Sequence, residues 1–437
     1  MRLKITSQIQ KLLGNSDLEK LIKNSGSVFF RRILGMGLSF VWVFAITNLF
    51  GSKVYGLVSI SQVLISFLGV FFCLGVDTAL IKLGSMTKHY SNGISHSAFL
   101  RKSINIILIS SALCTITVFL LKNSLTVHVF KKEELSNYLI WVSLLSILFL
   151  SHKAFTSFLT VEGRFNRYGN FYFLYPNIGV LLFVLLCYYF KWPPYFIIIG
   201  YILSYGIFGL IQLVSLIKIP LKKGISIGYK EILKLSTPMM ISSSFLFISS
   251  WTDVLMLGAM LSEEGVGVYN VAFKVGSLVL VIIAAVNTVL APKISAFFEG
   301  NNLDGIRKEV YKATKIISFM SLPFVILLII FRIPILRMFG EEFIAGEMVL
   351  IIISLGMLFN AMSGSVGQIL NMTNYQKQFR NFTIISAIIN VVLNYFLINK
   401  YGIEGAAIAS LVSNLMINIM CLIFVKQKFD FYAFFRI

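Results

Sequence analysis

Twelve apolar stretches, each near the ~20 residues that a helix needs to cross a bilayer, divide this 437-residue chain. They run approximately over 28–50, 56–77, 103–121, 138–158, 171–190, 194–217, 236–260, 268–292, 315–336, 346–371, 381–399 and 404–425. Their apolarity is continuous rather than alternating, which excludes a membrane barrel of amphipathic strands. In hydrocarbon the backbone has to satisfy its own N–H and C=O groups, so each stretch is predicted to be a helix. Only 13% of the residues are charged, about half the share in soluble proteins. The first 27 residues are too polar for a signal peptide, and the first apolar run carries no obvious cleavage site. The expected fold class is all-α and polytopic, with twelve transmembrane helices.

The spans are written twice. Lys53-Val54-Tyr55-Gly56-Leu57 returns about 210 residues later as Glu264-Gly265-Val266-Gly267-Val268. Gly169-Asn170-Phe171 is answered by Arg380-Asn381-Phe382, and Lys191-Trp192 by Lys400-Tyr401. Two pseudo-symmetric six-helix lobes around a central cavity are therefore expected, a common construction among transporters. The lobes are placed at 28–217 and 236–425, joined by a cytoplasmic linker at 218–235 that holds five lysines, Pro220, Gly224 and Gly228. Residues 1–27 read as an amphipathic or basic cytoplasmic segment lying on lipid, and 426–437 as a cytoplasmic tail.

A net charge of +20 raises the question of nucleic acid, which the placement of the charges answers. Of the 38 Lys and Arg, 26 fall in the termini and one alternating set of loops and 8 in the other set, with Arg31, Arg32, Lys153 and Lys274 inside spans. That asymmetry is the positive-inside bias, which puts both termini in the cytoplasm. The remaining basic excess suits anionic lipid, and no basic patch stands apart from the membrane to serve nucleic acid. Cys73, Cys114, Cys187 and Cys421 show neither metal-ligand spacing nor a disulfide framework. His89 and His96 share a loop without carboxylate or thiolate neighbours, so no metal site is expected. No phosphate-cradling Gly-x4-Gly-Lys-Ser/Thr loop occurs. Transport would draw on an ion gradient, a partner or the substrate's own gradient, with H+ or Na+ as the candidate ions.

Ionisable residues within spans cost at least ~2.5–3.5 kcal/mol each on insertion scales, so each asks for a reason. Arg31, Arg32, Asp77 and Lys153 are expected at one depth near the inner face of the first lobe, with a net charge of +2. One reading is a cationic vestibule for a diphosphate, since the planar guanidinium makes paired hydrogen bonds to phosphate oxygens. The other is snorkelling of long side chains, with Asp77 as charge partner of one arginine. In the second lobe Asp253 and Lys274 reach a similar depth nearer the outside. They are read either as a buried ion pair or as an ion-coupling carboxylate tuned by the lysine.

Asn390 with Asn394, and Asn414 with Asn418, stand at i, i+4 and so share helix faces. They serve either as sugar-contacting amides or as interhelical glue, and the nearby Gly402, Gly405, Ala406, Ala407 and Ala409 favour close helix approach. Tyr168, Tyr172, Tyr175 and Trp251 suit sugar stacking or an interfacial belt.

Trp251-Thr252-Asp253-Val254-Leu255-Met256-Leu257-Gly258, followed by Val266-Gly267-Val268-Tyr269-Asn270-Val271-Ala272-Phe273-Lys274, resembles the seventh and eighth helices of bacterial polysaccharide flippases of the Wzx type. So do Asn390-Val391-Val392-Leu393-Asn394-Tyr395 with Tyr401-Gly402-Ile403-Glu404-Gly405-Ala406-Ala407-Ile408-Ala409, and Tyr55-Gly56 with Gly75-Val76-Asp77-Thr78-Ala79. The resemblance covers essentially the whole chain. It implies the multidrug/oligosaccharidyl-lipid/polysaccharide exporter fold and a non-enzymatic flippase of the bacterial inner membrane. The implied substrate is an undecaprenyl-diphosphate-linked oligosaccharide for O-antigen (lipopolysaccharide), capsule or exopolysaccharide assembly. Membrane lipids, and a polymerase and chain-length regulator of the same pathway, are the implied partners. Two rivals stay open: a cation-coupled drug or metabolite exporter of the same fold, and a membrane-embedded polymerase or ligase, which would be expected to need a larger outer loop.

Overall fold

The structure is a computed structural model that describes residues 15–89, 96–217 and 227–435. Among these the regular elements are all helical. The α-helices are α1 (Asn15–Phe72), α2 (Val76–His89), α3 (His96–Ser124), α4 (Leu135–Leu144), α5 (Ser146–Val161), α6 (Phe165–Gly169), α7 (Tyr175–Tyr189), α8 (Phe196–Ile217), α9 (Tyr229–Met260), α10 (Glu263–Gly276), α11 (Val279–Glu299), α12 (Leu303–Ile330), α13 (Arg332–Arg337), α14 (Glu347–Met362), α15 (Val366–Met372) and α16 (Gln376–Phe429). Two π-helical turns follow α3 and α6, at Leu125–Val129 and Asn170–Leu174.

Among the described residues, seven helices are long and apolar enough to cross a membrane, or nine if each of two bent pairs is one span. Two of these are far longer than a single crossing. The Gly26–Phe72 part of α1 has 47 residues, and α16 has 54. Each is broken at one glycine of positive φ, Gly51 (φ 82°) and Gly402 (φ 59°), a conformation that costs glycine nothing in sterics. The repeat also marks the turns. Gly163 and Asn374, 211 residues apart, are both left-handed, and so are Lys191 and Gly402, again 211 apart.

The packing divides into two compact units that interleave along the chain. One comprises residues 1–42, 71–117 and 141–240; the other comprises 43–70, 118–140 and 241–437. The first has a core of Cys73, Val76, Leu80, Phe99, Leu150 and Phe158, onto which Ile232 of α9 also packs. Gly75 allows this, because a Cβ there would stand 2.7 Å from the Met240 nitrogen. In the second unit, Leu290, Ile294, Ile306, Val310, Cys421 and Val425 form a core that continues into Phe429, Phe431 and Ala433.

That last feature differs from the expected tail. The final helix runs to Phe429, and the segment after it folds back instead of trailing away. Phe435 N–H donates to the Met362 carbonyl at 2.8 Å, and the Thr314 hydroxyl donates to the Ala433 carbonyl at 3.2 Å. Phe431 is the apolar anchor, 2% exposed. Residues 1–14 of the basic N-terminal segment and 218–226 of the linker lie outside the described residues.

Candidate functional site

Arg31 and Arg32 sit in the first turns of the apolar part of α1, and the structure treats them differently. Arg31 is held by neutral groups. Its Nε donates to Asn170 Oδ1 at 2.5 Å, and Nη1 donates to the Ser27 carbonyl at 3.1 Å, to Ser27 Oγ and, at 3.4 Å, to Asn166 Oδ1. Two i, i+4 pairs thus meet face to face: Ser27 with Arg31, and Asn166 with Asn170. Gly169 makes room for this, since a Cβ there would stand 2.6 Å from Arg31 Cδ. Asn170 opens the π-turn, an irregularity frequent at functional sites. The guanidinium is thereby set in place with its charge unneutralised. Arg32 is exposed and lies within electrostatic range of the Tyr168 and Tyr172 phenols.

Tyr172 is the hub of this region. Its ring stacks on Tyr168 (centroids 5.3 Å apart) and on His152 (6.1 Å), and Tyr205 meets His152 edge-on at 5.3 Å. Asp77 acts electrostatically on Tyr172, and Cys73 feels both Asp77 and Lys153. Three of the four predicted charges, Arg32, Asp77 and Lys153, therefore share one neighbourhood. The expected charge pairing of Asp77 with an arginine is absent from it. Asp77 Oδ1 accepts the Thr78 N–H at 2.9 Å, and among the described residues no ion pair joins it to Arg31, Arg32 or Lys153. As the first acidic residue of α2, Asp77 faces the positive end of that helix instead.

Asp253 occupies a different setting in the second unit. It is 7% exposed and its carboxylate accepts three hydrogen bonds. Tyr269 Oη donates to Oδ2 at 2.6 Å, Ser410 Oγ donates to the same oxygen, and Asn394 Nδ2 donates to Oδ1 at 2.7 Å. Asn394 also reaches Asn390 Oδ1 at 3.0 Å, while Asn390 Nδ2 donates to Ser413 Oγ at 3.2 Å. Every partner of the carboxylate is neutral. Lys274 is not among these three donors, and among the described residues no ion pair joins it to Asp253. The reason is helix phase. α10 turns Tyr269 toward Asp253, and five residues on, Lys274 lies about 140° around the helix.

The sugar-contacting reading of Asn390 and Asn394 is likewise not met in this conformation. Both amides are buried, at 3% and 0% exposure, and are committed to Asp253 and Ser413. Their shared face is confirmed, but what it meets is a carboxylate. Asn394 Oδ1 remains buried without a partner. The small residues serve as expected: a Cβ on Gly405 would overlap the Leu397 carbonyl oxygen. Tyr269, Ser410 and Ser413 carry this chemistry without having been singled out as site residues from the sequence. No group of three or more His, Cys, Asp or Glu side chains converges among the described residues.

The class so defined is that of a helical membrane protein with charged groups, Arg31 and Asp253 among them, held by neutral partners within its apolar helices. The family is settled by comparison. Residues 21–298 match the model of the family described as polysaccharide biosynthesis protein, and 238–396 match that of the MatE family. This chain belongs to the polysaccharide biosynthesis protein family, as its motifs led us to expect. A probable low-salt glycan biosynthesis flippase, Agl15 of Haloferax volcanii, is 22% identical over 405 residues, which cover 90% of this chain and 81% of the relative. The probable flippase AglR of the same organism is 27% identical over 38% of this chain and 35% of its own. Among solved structures, the lipid II flippase MurJ in an inward closed conformation superposes with a TM-score of 0.76 at 20% identity, covering 93% of this chain and 87% of its own. An inward-facing multidrug resistance MATE transporter gives 0.67 at 14% identity, covering 94% of each chain. These likenesses establish the fold.

Proposed function

We propose that this protein is a flippase that carries lipid-linked oligosaccharides across a membrane by alternating access. The finer reading is an undecaprenyl-diphosphate-linked repeat unit, moved across the bacterial inner membrane for O-antigen, capsule or exopolysaccharide assembly. In this reading twelve crossings form two six-helix lobes, with both termini in the cytoplasm, and a polymerase and chain-length regulator receive the product. The observation that carries it is the Arg31 guanidinium, fixed by Ser27, Asn166 and Asn170 beside the exposed Arg32. Fixing the fork beforehand removes much of the entropic cost of gripping a diphosphate, and leaving it without a carboxylate keeps its charge for the ligand. Lys153 and the Tyr168–Tyr172 stack extend the same surface toward phosphate and sugar. Sequence likeness to glycan flippases, reported for Agl15 over most of both chains, supports the glycan class.

The test is flipping of a fluorescent undecaprenyl-diphosphate oligosaccharide in proteoliposomes. Removing one charge-assisted contact costs roughly 1.5–3 kcal/mol, so Arg31→Ala and Arg32→Ala are each expected to slow flipping about ten- to a hundredfold. Arg31→Lys keeps the charge and loses the fork, and is expected to fall between. Wild-type rates in all three variants would remove the cationic site from the mechanism.

A second reading, cation-coupled export of a drug or metabolite, is favoured by the MatE match over 238–396 and by the Asp253 nest. We join it to the first at one point. Asp253 takes up the coupling proton or sodium ion, because a carboxylate surrounded by neutral hydroxyls and amides holds a charge that a cation can share.

A further inference from the structure

A trough of about 480 Å³ runs between α11 and α12, within the second unit. One wall carries Ala285, Val289 and Lys293, at i, i+4 and i+8 of α11; the other carries Glu309, Lys312 and Ile316, at i, i+3 and i+7 of α12. Each set therefore lies along one face of its helix. The rest of the lining is aliphatic, and the small side chains of Ala285 and Ala313 leave space that larger ones would fill. Val289 and Ile316 are 61% and 50% exposed, so the trough opens at the surface.

Its charges are gathered at one end. α11 stops at Glu299 and α12 starts at Leu303, which brings Lys293 and Glu309 together near the turn. Glu309 Oε2 accepts from Lys293 Nζ at 2.7 Å, and its Oε1 accepts from Lys312 Nζ at 3.3 Å. One carboxylate thus holds two ammonium groups side by side, and the three charges sum to +1. An ammonium has three donors, and each lysine gives Glu309 only one. Both lysine side chains are half-exposed or more. From this end the trough deepens into apolar helix: at ~1.5 Å per residue, Ala285 lies about 12 Å beyond Lys293, and Ile316 about 10 Å beyond Glu309. The apolar stretches 268–292 and 315–336 end beside the lysines, which sets the ammonium groups at headgroup level. The charge bias assigns that end to the cytoplasmic leaflet, whose anionic lipids attract such lysines.

We propose that this trough binds one anionic phospholipid, its phosphodiester on Lys293 and Lys312 and an acyl chain laid between α11 and α12 past Val289 and Ile316. Charge selects the occupant. A phosphodiester carries a single negative charge and brings the cluster to neutrality. A zwitterionic headgroup adds its own cation and leaves the excess, whereas a diphosphate overshoots it. The lipid is resident rather than transported, and the site is independent of what the protein carries. Because it binds the folded pair of helices, it also stabilises them by mass action.

Full-length protein, delipidated in detergent, is titrated with phosphatidylglycerol and with phosphatidylcholine of the same acyl chains, and bound lipid is counted by native mass spectrometry. One phosphatidylglycerol should bind about fivefold more tightly than phosphatidylcholine, and Lys293→Gln and Lys312→Gln should each cost about fivefold and abolish that preference. Lys428→Gln, at an exposed lysine of α16, should change nothing. Ala285→Leu fills the trough with the charges intact and should weaken both lipids alike. Phosphatidylglycerol should raise the thermal midpoint of the wild type and leave that of the doubly substituted Lys293→Gln, Lys312→Gln protein in place. Equal binding of the two lipids by wild type would overturn the proposal, as would unchanged affinity in both glutamine variants. Displacement by inorganic phosphate would reduce the site to a headgroup contact, and displacement by equimolar undecaprenyl diphosphate would give the trough to the transported substrate; either result also overturns it. If Ala285→Leu fails to fold, the exposed lysine variants and the phosphate competition decide.

Discussion

Asp253→Asn separates a structural from a coupling role at the buried carboxylate, and its cost is legible from the contacts. The carboxylate accepts from Tyr269, Ser410 and Asn394. Asp253→Ala leaves all three donors without an acceptor. Interhelical bonds in membranes run from ~0.6 to ~1.7 kcal/mol, and an ionised acceptor belongs at the upper end, so the loss is roughly 2–5 kcal/mol. Asparagine has the same shape and keeps one acceptor. Its new N–H2 group has takers, because hydroxyls rotate to accept and the unpartnered Asn394 Oδ1 becomes available if that amide turns. The expected cost is about 1–2 kcal/mol. Thermal unfolding in detergent should therefore rank wild type above Asn above Ala, with the larger gap before Ala. Flipping measured against pH and against sodium should then lose its ion dependence in Asp253→Asn, while the protein stays folded. If Asp253→Asn keeps wild-type rate and ion dependence, coupling at Asp253 is refuted. If it is as unstable as Asp253→Ala, the hydrogen-bond accounting is refuted.

Three further outcomes follow from the packing. Deleting residues 430–437 removes buried Phe431 and Ala433 and two backbone-directed hydrogen bonds, and should lower stability by about 2–4 kcal/mol in a thermal-shift assay; an unchanged midpoint would mean the fold-back is incidental. Gly405→Ala drives a methyl into the Leu397 carbonyl and should cost roughly 1–3 kcal/mol by the same assay. Burial pushes the Lys132 ammonium below its ordinary value of 10.5, against the opposing pull of Glu263 and Glu264. Between the lowered value and 10.5 the unfolded chain binds more protons than the folded one, so stability rises with pH across that window. Lys132→Met lacks this increment, and the wild type should gain on it in unfolding midpoint as pH rises through the window.

The all-helical, membrane-spanning character was legible because lipid leaves a chain few choices, whereas the expected twelve crossings compare with seven qualifying helices, or nine with the bent pairs, among the described residues. The carboxylate nest was legible only in fragments. The i, i+4 spacing of Asn390 and Asn394 fixed their common face, yet not what that face meets, since the three donors to Asp253 come from positions 141, 16 and 157 residues away. Depth suggested Lys274 as a partner for Asp253. Depth is one coordinate, and the azimuth set by five residues of helix decides contact. In the first unit, the matching pairs Ser27/Arg31 and Asn166/Asn170 did carry a signal, two polar i, i+4 faces that meet.

Among the described residues Asp253 is the one buried carboxylate, and the position equivalent to it in the other half is Trp42. Trp42 and Asp253 are equivalent under the 211-residue offset, and the structure gives them comparable jobs. Trp42 Nε1 donates to Asn177 Oδ1 at 2.8 Å, tying the first predicted span to the fifth; Asn394 Nδ2 donates to Asp253, tying the seventh to the eleventh. A polar tie stands near this place in both halves, made in one by an indole and in the other by a carboxylate, though Asn394 is six residues from the equivalent of Asn177. An indole N–H satisfies the geometry and never titrates. A buried carboxylate satisfies it at a desolvation cost that an indole avoids. A fold that needed only the tie had the cheaper solution already in its first half. On the reading proposed above, the charge of Asp253 is what sets the second tie apart from the first, and it is the property that coupling by a cation uses.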